Sequence, residues 1–383
     1  MNPPALPTAV YIHVPWCVRK CPYCDFNSHE RAEGLPEAAY LRRILADLAW
    51  DLEHFGPPGA PITSLFFGGG TPSLLQPETI GAIIEGIAAR LPLAGDCEIT
   101  LEANPGTAEV GRFQGYRAAG VNRLSLGIQS FSSRALTALG RIHDGEDGLR
   151  ALALAKAAGF PRINLDLMHG LPGQTVAEGQ RDIELALDAE VSHLSYYQLT
   201  IEPNTTFYRR PPALPEESIL ERLEDRGRRL LEAAGFEPYE ISAWARDGHY
   251  CQHNLTYWRF GDYYGLGPGA HGKLSRRDGA GGLRVMRTQR SRVPEHWLRG
   301  DGTPSAQTPV EGDALREECL LNVLRLREGI PFEDFEAHTG LPRACLDPER
   351  EAQVAAGLLR EERLAPTDQG LRFLNPLLAA LSR

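Results

Sequence analysis

Three cysteines stand close together near the beginning of the chain, within the segment WCVRKCPYCDF at residues 16–26. They are spaced C-x3-C-x2-C and are Cys17, Cys21 and Cys24. Loop cysteines this close in sequence can hold one iron–sulfur cluster or one tetrahedral metal ion. A structural zinc ion would need a fourth ligand, for which His13 or His29 could serve. A cluster held by three thiolates would instead keep one iron open for a small chelating molecule, and Phe26 stands where a further ligand could be.

The cysteines directly follow the first of several predicted strands. Short runs of β-branched and apolar residues predict strands at 9–14, 62–67, 98–103, 123–128, 163–168 and 193–201. Longer amphipathic stretches lie between them, for example 36–54, where aliphatic residues recur at helical spacing. Six β/α units before residue 235 predict an α/β fold with a partial (β/α)6 barrel rather than a closed eight-fold one. Ligands of such parallel sheets bind beyond the carboxyl ends of the strands.

Polar and glycine residues follow the later strands and would meet on that same face. They are Gly68, Gly69 and Gly70 after the second strand, Glu102 after the third, Gln129 after the fourth, Arg141 in LGRIHD, and Asp166 at the end of the fifth. Glycines let a ligand approach the backbone N–H groups, carboxylates accept hydrogen bonds from ribose hydroxyls or an ammonium group, and arginine suits a carboxylate. Each residue alone could also form a tight turn, a helix cap or a surface charge. Together they match what a binding site at a barrel face requires.

The later part of the chain is organised differently. We predict the barrel over 1–235, an extension with glycine-rich and aromatic segments over 236–300, a polar linker over 301–312, and a separate module over 313–383. Helical patterns followed by a predicted strand-turn-strand region, RLAPTDQGLRFLN, give that module a winged-helix-like order. Its acidic residues outnumber its basic ones, so a DNA-binding role is not expected.

Composition sets further bounds on the function. The chain has 383 residues, 42% of them hydrophobic and 23% charged, which is typical of globular protein. We find no apolar run long enough to span a membrane and no signal-peptide pattern in MNPPALPTAV. Seven cysteines, an odd number with three of them clustered, favour a metal site in a reducing cytoplasm over a disulfide framework. A formal net charge of −10 argues against nucleic acid as a partner.

The cysteine motif after the first strand resembles that of the radical S-adenosylmethionine (SAM) superfamily. The resemblance implies a 4Fe–4S cluster whose open iron chelates the amino and carboxylate groups of SAM. It also places Tyr23, which precedes the last cysteine, near the adenine of SAM.

The resemblance extends over nearly the whole chain to the oxygen-independent coproporphyrinogen III oxidase group of that superfamily. Beside Gly69 and Gly70, the positions that match the SAM pocket of that group are Tyr11, Gly68, Thr71, Glu102, Gln129, Arg141 and Asp166. The chain departs from the oxidases at two places, which argues against oxidase activity. Those enzymes have a longer segment before the first strand, and they carry a further cysteine at the position of Phe26.

The segments CPYCDFNSH and HNLTYW more closely resemble the HemW branch of haem chaperones. This resemblance implies that haem binds to His253, Tyr257 and Trp258, since an imidazole can ligate iron and aromatic rings can pack on a macrocycle. A buried structural role for these residues, and iron ligation by Cys251 or His271, remain open alternatives. The implied partners are haem and an apo-haemoprotein acceptor, which could lie in a membrane, and a homodimer is left open. The alternative functions are an oxygen-independent coproporphyrinogen III dehydrogenase and a zinc-stabilised interaction module.

Overall fold

The structure is a computed structural model that describes residues 6–31, 34–106, 111–277 and 282–382. Its strands are β1 Thr8–Val14, β2 Trp16–Cys17, β3 His29–Glu30, β4 Ile62–Gly69, β5 Leu93–Ala103, β6 Arg123–Gln129, β7 Arg162–His169, β8 His193–Gln198, β9 Glu237–Pro238, β10 Ala243–Ala245, β11 Asp262–Leu266, β12 His271–Arg277, β13 Leu283–Gln289 and β14 Ala306–Val310. Its α-helices are α1 Glu37–Phe55, α2 Pro77–Ala88, α3 Phe113–Ala118, α4 Ser133–Ala138, α5 Gly145–Ala157, α6 Val176–Asp188, α7 Thr206–Arg209, α8 Glu217–Ala233, α9 Gln252–Trp258, α10 Pro294–Arg299, α11 Gly312–Val323, α12 Phe332–Thr339, α13 Glu349–Ala355, α14 Asp368–Arg372 and α15 Leu374–Leu381.

The six predicted strands, together with β11, form the parallel centre of one large sheet. The strand order is β14-β13-β12-β11-β1-β4-β5-β6-β7-β8-β10-β9, and β1, β4, β5, β6, β7 and β8 are mutually parallel. The outer neighbours of β1 and β8 are β11 and β10, so the barrel is open. This confirms the predicted α/β fold with a partial barrel. All six predicted strands are present, although β5 begins five residues earlier and β8 ends three residues earlier than predicted.

The two faces of the central strands differ in polarity. Residues at alternate positions on the helix-facing side belong to the main hydrophobic core, among them Leu124, Leu126, Leu165, Leu167 and Leu194. The intervening positions are polar and face the inside of the barrel, among them Arg123, Ser125, Asn164, Asp166, His193 and Ser195. Since side chains alternate along a strand, one sheet buries an apolar layer outside and keeps a polar interior. None of the described helices is long and apolar enough to cross a membrane.

Two expectations about the later part of the chain differ from the structure. The predicted linker at 301–312 contains β14, which pairs antiparallel with β13 at the edge of the sheet. The prediction of a strand-turn-strand region near the end of the chain was wrong, because α14 and α15 occupy most of this segment. Thr367 caps α14 by accepting a hydrogen bond from the Gly370 amide, and Leu377 is buried in the core of the C-terminal module. Among the described residues, the β-pairing in this module consists of isolated bridges, such as the one between Leu359 and Pro366.

Candidate functional site

The three clustered cysteines lie on a loop that leaves the carboxyl end of β1. A short parallel ladder between β2 and β3 closes this loop, with Trp16 opposite His29. Each thiol has a polar side chain close by. The Thr71 hydroxyl lies 3.5 Å from Sγ of Cys17, the Arg141 guanidinium 3.7 Å from Sγ of Cys21, and the Ser28 hydroxyl 3.9 Å from Sγ of Cys24. The loop therefore presents the three sulfur atoms beside groups from β4 and from the segment after β6.

The donor set consists of three thiolates, and of the two candidate imidazoles His29 keeps a buried Nε2 without a hydrogen-bond partner in the described part of the chain. All seven cysteines are free thiols. Among the described residues, no group of three or more His, Cys, Asp or Glu side chains is arranged to hold one metal ion. His13 is not available as a zinc ligand, because its Nδ1 bonds the Tyr11 hydroxyl and its Nε2 bonds the Asn27 carbonyl, each at 2.9 Å. Burial raises the pKa of the Cys17 thiol to about 11, so a bound metal centre is needed to keep it ionised at neutral pH.

The cysteines open onto a cavity of about 470 Å³ beyond the carboxyl ends of β4 to β8. Four carboxylates and two arginines are among its lining side chains: Asp25, Glu102, Asp166, Glu202, Arg19 and Arg141. Both arginines lie on the cysteine side, where Arg141 contacts Cys21. The cavity thus holds more acidic than basic side chains and suits a ligand with cationic groups.

Glu102 and Asp166 are held in place by bonds from their surroundings. Oε2 of Glu102 accepts a hydrogen bond from the Gly69 amide at 3.2 Å. Oδ1 of Asp166 accepts one from the Asn164 amide group at 2.8 Å, and Oδ2 lies 3.4 Å from the Ser125 hydroxyl. Burial, followed by the charge of Asp166, raises the pKa of Glu102 to about 8, and burial also raises the pKa of Asp166. A cationic ligand in the cavity would stabilise both carboxylates in their ionised form.

Gln129 and Arg141 are positioned by the irregular end of β6. The pairing of β6 with β7 shifts register between Leu126 and Gln129, and Gln129 has a φ of 67°, in the left-handed region. Its side-chain oxygen accepts a hydrogen bond from the Tyr197 hydroxyl at 2.8 Å. Arg141 donates to the Gly127 carbonyl at 2.7 Å and to the side chain of Asn104. The local bulge therefore directs the Gln129 side chain into the cavity. Arg141 connects the neighbouring loops through its hydrogen bonds.

The glycine run after β4 is required by close packing as well as by access to the cavity. Gly69 has a φ of 111°, and a Cβ there would lie 2.5 Å from the His13 ring. A Cβ on Gly70 would lie 2.6 Å from the Trp16 carbonyl. The turn interpretation and the ligand interpretation are therefore compatible, since Gly69 and Gly70 also line the cavity.

Most of the residues predicted for SAM reach the cavity. Those that line it are Tyr23, Gly69, Gly70, Thr71, Glu102, Gln129, Arg141 and Asp166, together with the three cysteines. Tyr11 and Gly68 do not line it. The Tyr11 hydroxyl bonds His13, and a Cβ on Gly68 would meet the rings of Phe66 and Tyr11. Tyr11 and Gly68 therefore belong to the packing beneath the cavity.

The HNLTYW segment lies elsewhere, on α9 toward the amino ends of the barrel strands. His253 is 3% exposed, bonds the Ser64 hydroxyl through Nδ1 at 3.1 Å, and stacks on Phe66 with ring centroids 4.7 Å apart. Burial lowers its pKa to about 3. Tyr257 packs against another tyrosine ring, and the Arg325 guanidinium lies 4.2 Å from the Trp258 ring. The structure thus places these side chains within the packed interior, apart from the cysteine cavity.

Sequence reasoning missed several cavity residues on the last strands. Ser125, Ser195 and Tyr197 line the cavity, and so does Asn104, whose side chain donates to the Thr71 hydroxyl at 3.0 Å. The available signal was the alternation of polar residues in HLSYYQ and INLDLM, which indicates a polar inner face.

Replacing Glu102 with glutamine should stabilise the cluster-free protein, and increasingly so as the pH rises. The pKa of Glu102 is about 8 in the folded chain against an ordinary 4.5, so folding disfavours its ionised form. The stability that the protonated group contributes is complete below about pH 4.5 and is lost as the pH rises toward about 8. Thermal unfolding midpoints of both proteins at about pH 5 and about pH 8 measure this. Exposed Glu53 gives the control variant Glu53→Gln, and an equal effect of Glu102→Gln at both pH values would contradict the prediction.

The chain is similar to several known proteins over most of its length. Residues 11–186 match the radical SAM superfamily, and residues 310–373 match the HemN C-terminal domain. Heme chaperone HemW of Escherichia coli is 47% identical over 97% of this chain and 97% of that protein, and HemW of Haemophilus influenzae is 42% identical over the same shares. Radical S-adenosyl methionine domain-containing protein 1, mitochondrial, of Bos taurus is 39% identical over 86% of this chain and 75% of that protein.

A solved structure shares the fold over nearly the full length. Coproporphyrinogen III oxidase (HemN) from Escherichia coli, described as a radical SAM enzyme, superposes with a TM-score of 0.80 over 99% of this chain and 90% of that chain. Its sequence is 20% identical, so this likeness concerns the fold alone.

Proposed function

Because the chain belongs to the radical SAM superfamily and, within it, to the HemW family of haem chaperones, we propose that it binds haem and transfers it to an apo-haemoprotein. Membership of the superfamily implies a 4Fe–4S cluster and SAM. In the proposed arrangement Cys17, Cys21 and Cys24 hold the cluster, and SAM occupies the adjoining cavity. Haem itself binds outside that cavity.

One observation carries the cluster and SAM part of the proposal. Three free thiols open together onto a cavity whose carboxylates outnumber its arginines by four to two. SAM carries a sulfonium and an ammonium group, which suit this charge, and Arg141 beside Cys21 suits its carboxylate. The cluster would supply an open iron for chelation. The residues of the chain orient the ligand and exclude water from it.

The same charges disfavour the enzymatic alternative. Coproporphyrinogen III carries four propionate groups, whereas the described cavity offers Arg19 and Arg141 as its basic side chains and both lie on the cysteine side. An anion with several carboxylates would also meet Asp166 and Glu202 in the same cavity. We therefore propose a binding and transfer function rather than decarboxylation of this porphyrinogen.

The finer features of the function are also proposals. Free thiols and a metal centre suit a reducing cytoplasm, where we place the protein. Ligation of haem iron by His253 remains a prediction, and it would require α9 to move, since that imidazole is 3% exposed. An acceptor in the membrane and assembly into a homodimer are left to direct measurement.

Haem titration beside a turnover assay tests the proposed function. Anaerobically reconstituted protein, titrated with hemin, should develop a saturable Soret band that differs from that of free hemin. The same preparation with SAM, a reductant and coproporphyrinogen III should yield no protoporphyrinogen. Heat-unfolded protein serves as the control for unspecific binding of hemin, and protein without the cluster should still bind hemin, since the haem site lies outside the cavity. Turnover of the porphyrinogen without saturable hemin binding would overturn the chaperone proposal and favour the oxidase.

A further inference from the structure

Asn104 links two of the side chains that lie beside the clustered cysteines. It directly follows the end of β5, and its side-chain amide donates a hydrogen bond to the Thr71 hydroxyl at 3.0 Å. Its side-chain oxygen accepts a hydrogen bond from the Arg141 guanidinium. Thr71 lies next to Cys17 and Arg141 lies next to Cys21, so this one amide joins the surroundings of two thiols.

The chemistry of these groups fixes the direction of each hydrogen bond. A guanidinium can only donate, so Arg141 must face the oxygen of the Asn104 side chain, and the nitrogen of that amide must face Thr71. The Thr71 oxygen accepts from the amide, and its own proton is therefore left to point at Sγ of Cys17, 3.5 Å away. Reversing the amide would place an N–H group against the guanidinium, so the two orientations of Asn104 are not interchangeable.

The strand beside this network leaves space for it. Gly127 lies in β6, and a Cβ there would stand 3.1 Å from the Asn104 side-chain oxygen and 3.5 Å from the Arg141 guanidinium. The Gly127 carbonyl also accepts a hydrogen bond from Arg141 at 2.7 Å. One terminal nitrogen of the guanidinium is thus held by Asn104 and Gly127, while the other lies 3.7 Å from Sγ of Cys21. Asn104 therefore helps to fix the orientation in which Arg141 meets the second thiol.

Both ends of the network present hydrogen-bond donors to sulfur. Hydrogen bonds in a chain polarise one another, so the charge of the guanidinium strengthens the donors that follow it. The reduction potential of an iron–sulfur cluster depends on hydrogen bonds to its sulfur atoms and on its exposure to solvent. Reduction adds one electron to the cluster and its thiolates, and donors directed at sulfur stabilise the added negative charge.

We propose that Asn104 is a positioning residue that aligns Thr71 and Arg141 as donors to the thiolates of Cys17 and Cys21 and thereby raises the midpoint potential of the cluster. The inference rests on the cluster part of the proposed function and adds a residue that controls how readily this cluster accepts an electron. That electron comes from an external one-electron donor, and no covalent bond forms or breaks within the network.

Redox titration of the anaerobically reconstituted cluster, without SAM, tests the assignment. Asn104→Leu keeps a side chain of similar size and removes both hydrogen bonds. With dithionite as the electron donor and the EPR signal of the reduced cluster as the readout, the equilibrium constant for reduction should fall about tenfold, which places the midpoint potential about 59 mV lower. Thr71→Val should shift the potential in the same direction, and Thr71→Ser, which keeps the hydroxyl, should retain the wild-type value. Since Asn104 acts partly through Thr71, the double variant should shift it by less than the sum of the two single shifts.

A matched amide elsewhere separates the proposed role from a purely structural one. Asn122 is half-buried like Asn104, accepts a hydrogen bond from the Ile99 amide at 2.8 Å and donates one to the Cys97 carbonyl at 2.8 Å. It lies just before β6, at the end of that strand opposite the cysteine loop. Asn122→Leu should therefore lower the thermal unfolding midpoint and leave the potential of the cluster unchanged.

The outcomes separate this inference from the proposed function. A wild-type potential in Asn104→Leu or in Thr71→Val, at wild-type iron content, would overturn the role of Asn104 while the cluster site stands. An equal shift in Asn122→Leu would overturn it as well. Thr71→Val carries the test by itself if Asn104→Leu incorporates less iron than the wild type. Absence of iron from the wild type would overturn the cluster site itself, and the hemin titration reports separately on haem binding.

Discussion

Replacing Cys21 with serine should reduce the iron bound after anaerobic reconstitution from about four ions per chain to nearly none. The loop offers three thiolates for the cluster, and His13 cannot substitute because both of its ring nitrogens are bonded. Loss of one thiolate leaves two corners of a four-iron cluster without a protein ligand. Iron and sulfide analysis, with the visible absorption of the cluster, measures the effect. Equivalent losses are expected for Cys17→Ser and Cys24→Ser.

A matched cysteine elsewhere provides the control for the cluster prediction. Cys345 is half-buried in the C-terminal module, as the cluster cysteines are half-buried in their loop. Cys345→Ser should therefore retain the full iron content. If Cys21→Ser also retained it, or if the wild type held zinc in place of iron, the three-thiolate site would be wrong and the interaction module would be favoured.

Replacing Arg290 with methionine should lower the free energy of unfolding by about 3–5 kcal/mol at neutral pH. Arg290 is 1% exposed, and its guanidinium lies 2.6 Å from Oδ1 of Asp51 and 3.8 Å from Oδ2 of Asp47. Asp47 is tied further into the fold by Trp297, whose indole N–H donates to it at 2.8 Å. These contacts join α1 to the segment after β13, so methionine would leave the buried Asp51 without its cation and Asp47 with Arg43 as its remaining one. Chemical denaturation of wild type and variant measures the difference.

The pH dependence of the Arg290→Met effect identifies its cause. Burial already raises the pKa of Asp51 to about 6 and that of Asp47 above its ordinary value, with Arg290 opposing both shifts. Without the guanidinium both pKa values rise further, so the destabilisation should be largest above about pH 7 and smaller near about pH 5. Adding Asp51→Asn to the variant should restore part of the stability. The exposed Arg299→Met is the control, and a loss independent of pH would indicate lost packing instead of unpaired charge.

Local patterns predicted the strands well and the lining of the site only in part. The run INLDLM predicted β7 to within one residue at each end, because an apolar run between helical stretches has few alternative structures. Glu102 and Asp166 were expected at strand ends, and both line the cavity, although Asp166 lies within β7, three residues before its end. Ser195 and Tyr197 were missed because a serine and a tyrosine in a strand carry no chemical signature of their own. Their role depends on contacts with Asn164 on the neighbouring β7 and with Gln129 on β6, beyond it.

The sequence by itself determined the cysteine triad, its place after the first strand and the order of the β/α units. These features are local, since they depend on spacing and on periodicity within single segments. Tertiary structure alone decided which histidine is accessible. His253 stands in a conspicuous motif and is buried against β4, whereas His271 stands in a plain glycine-rich turn and is exposed beside the cysteine loop. The physical reason is that burial is set by strands and loops hundreds of residues away in the chain, which no local pattern can report.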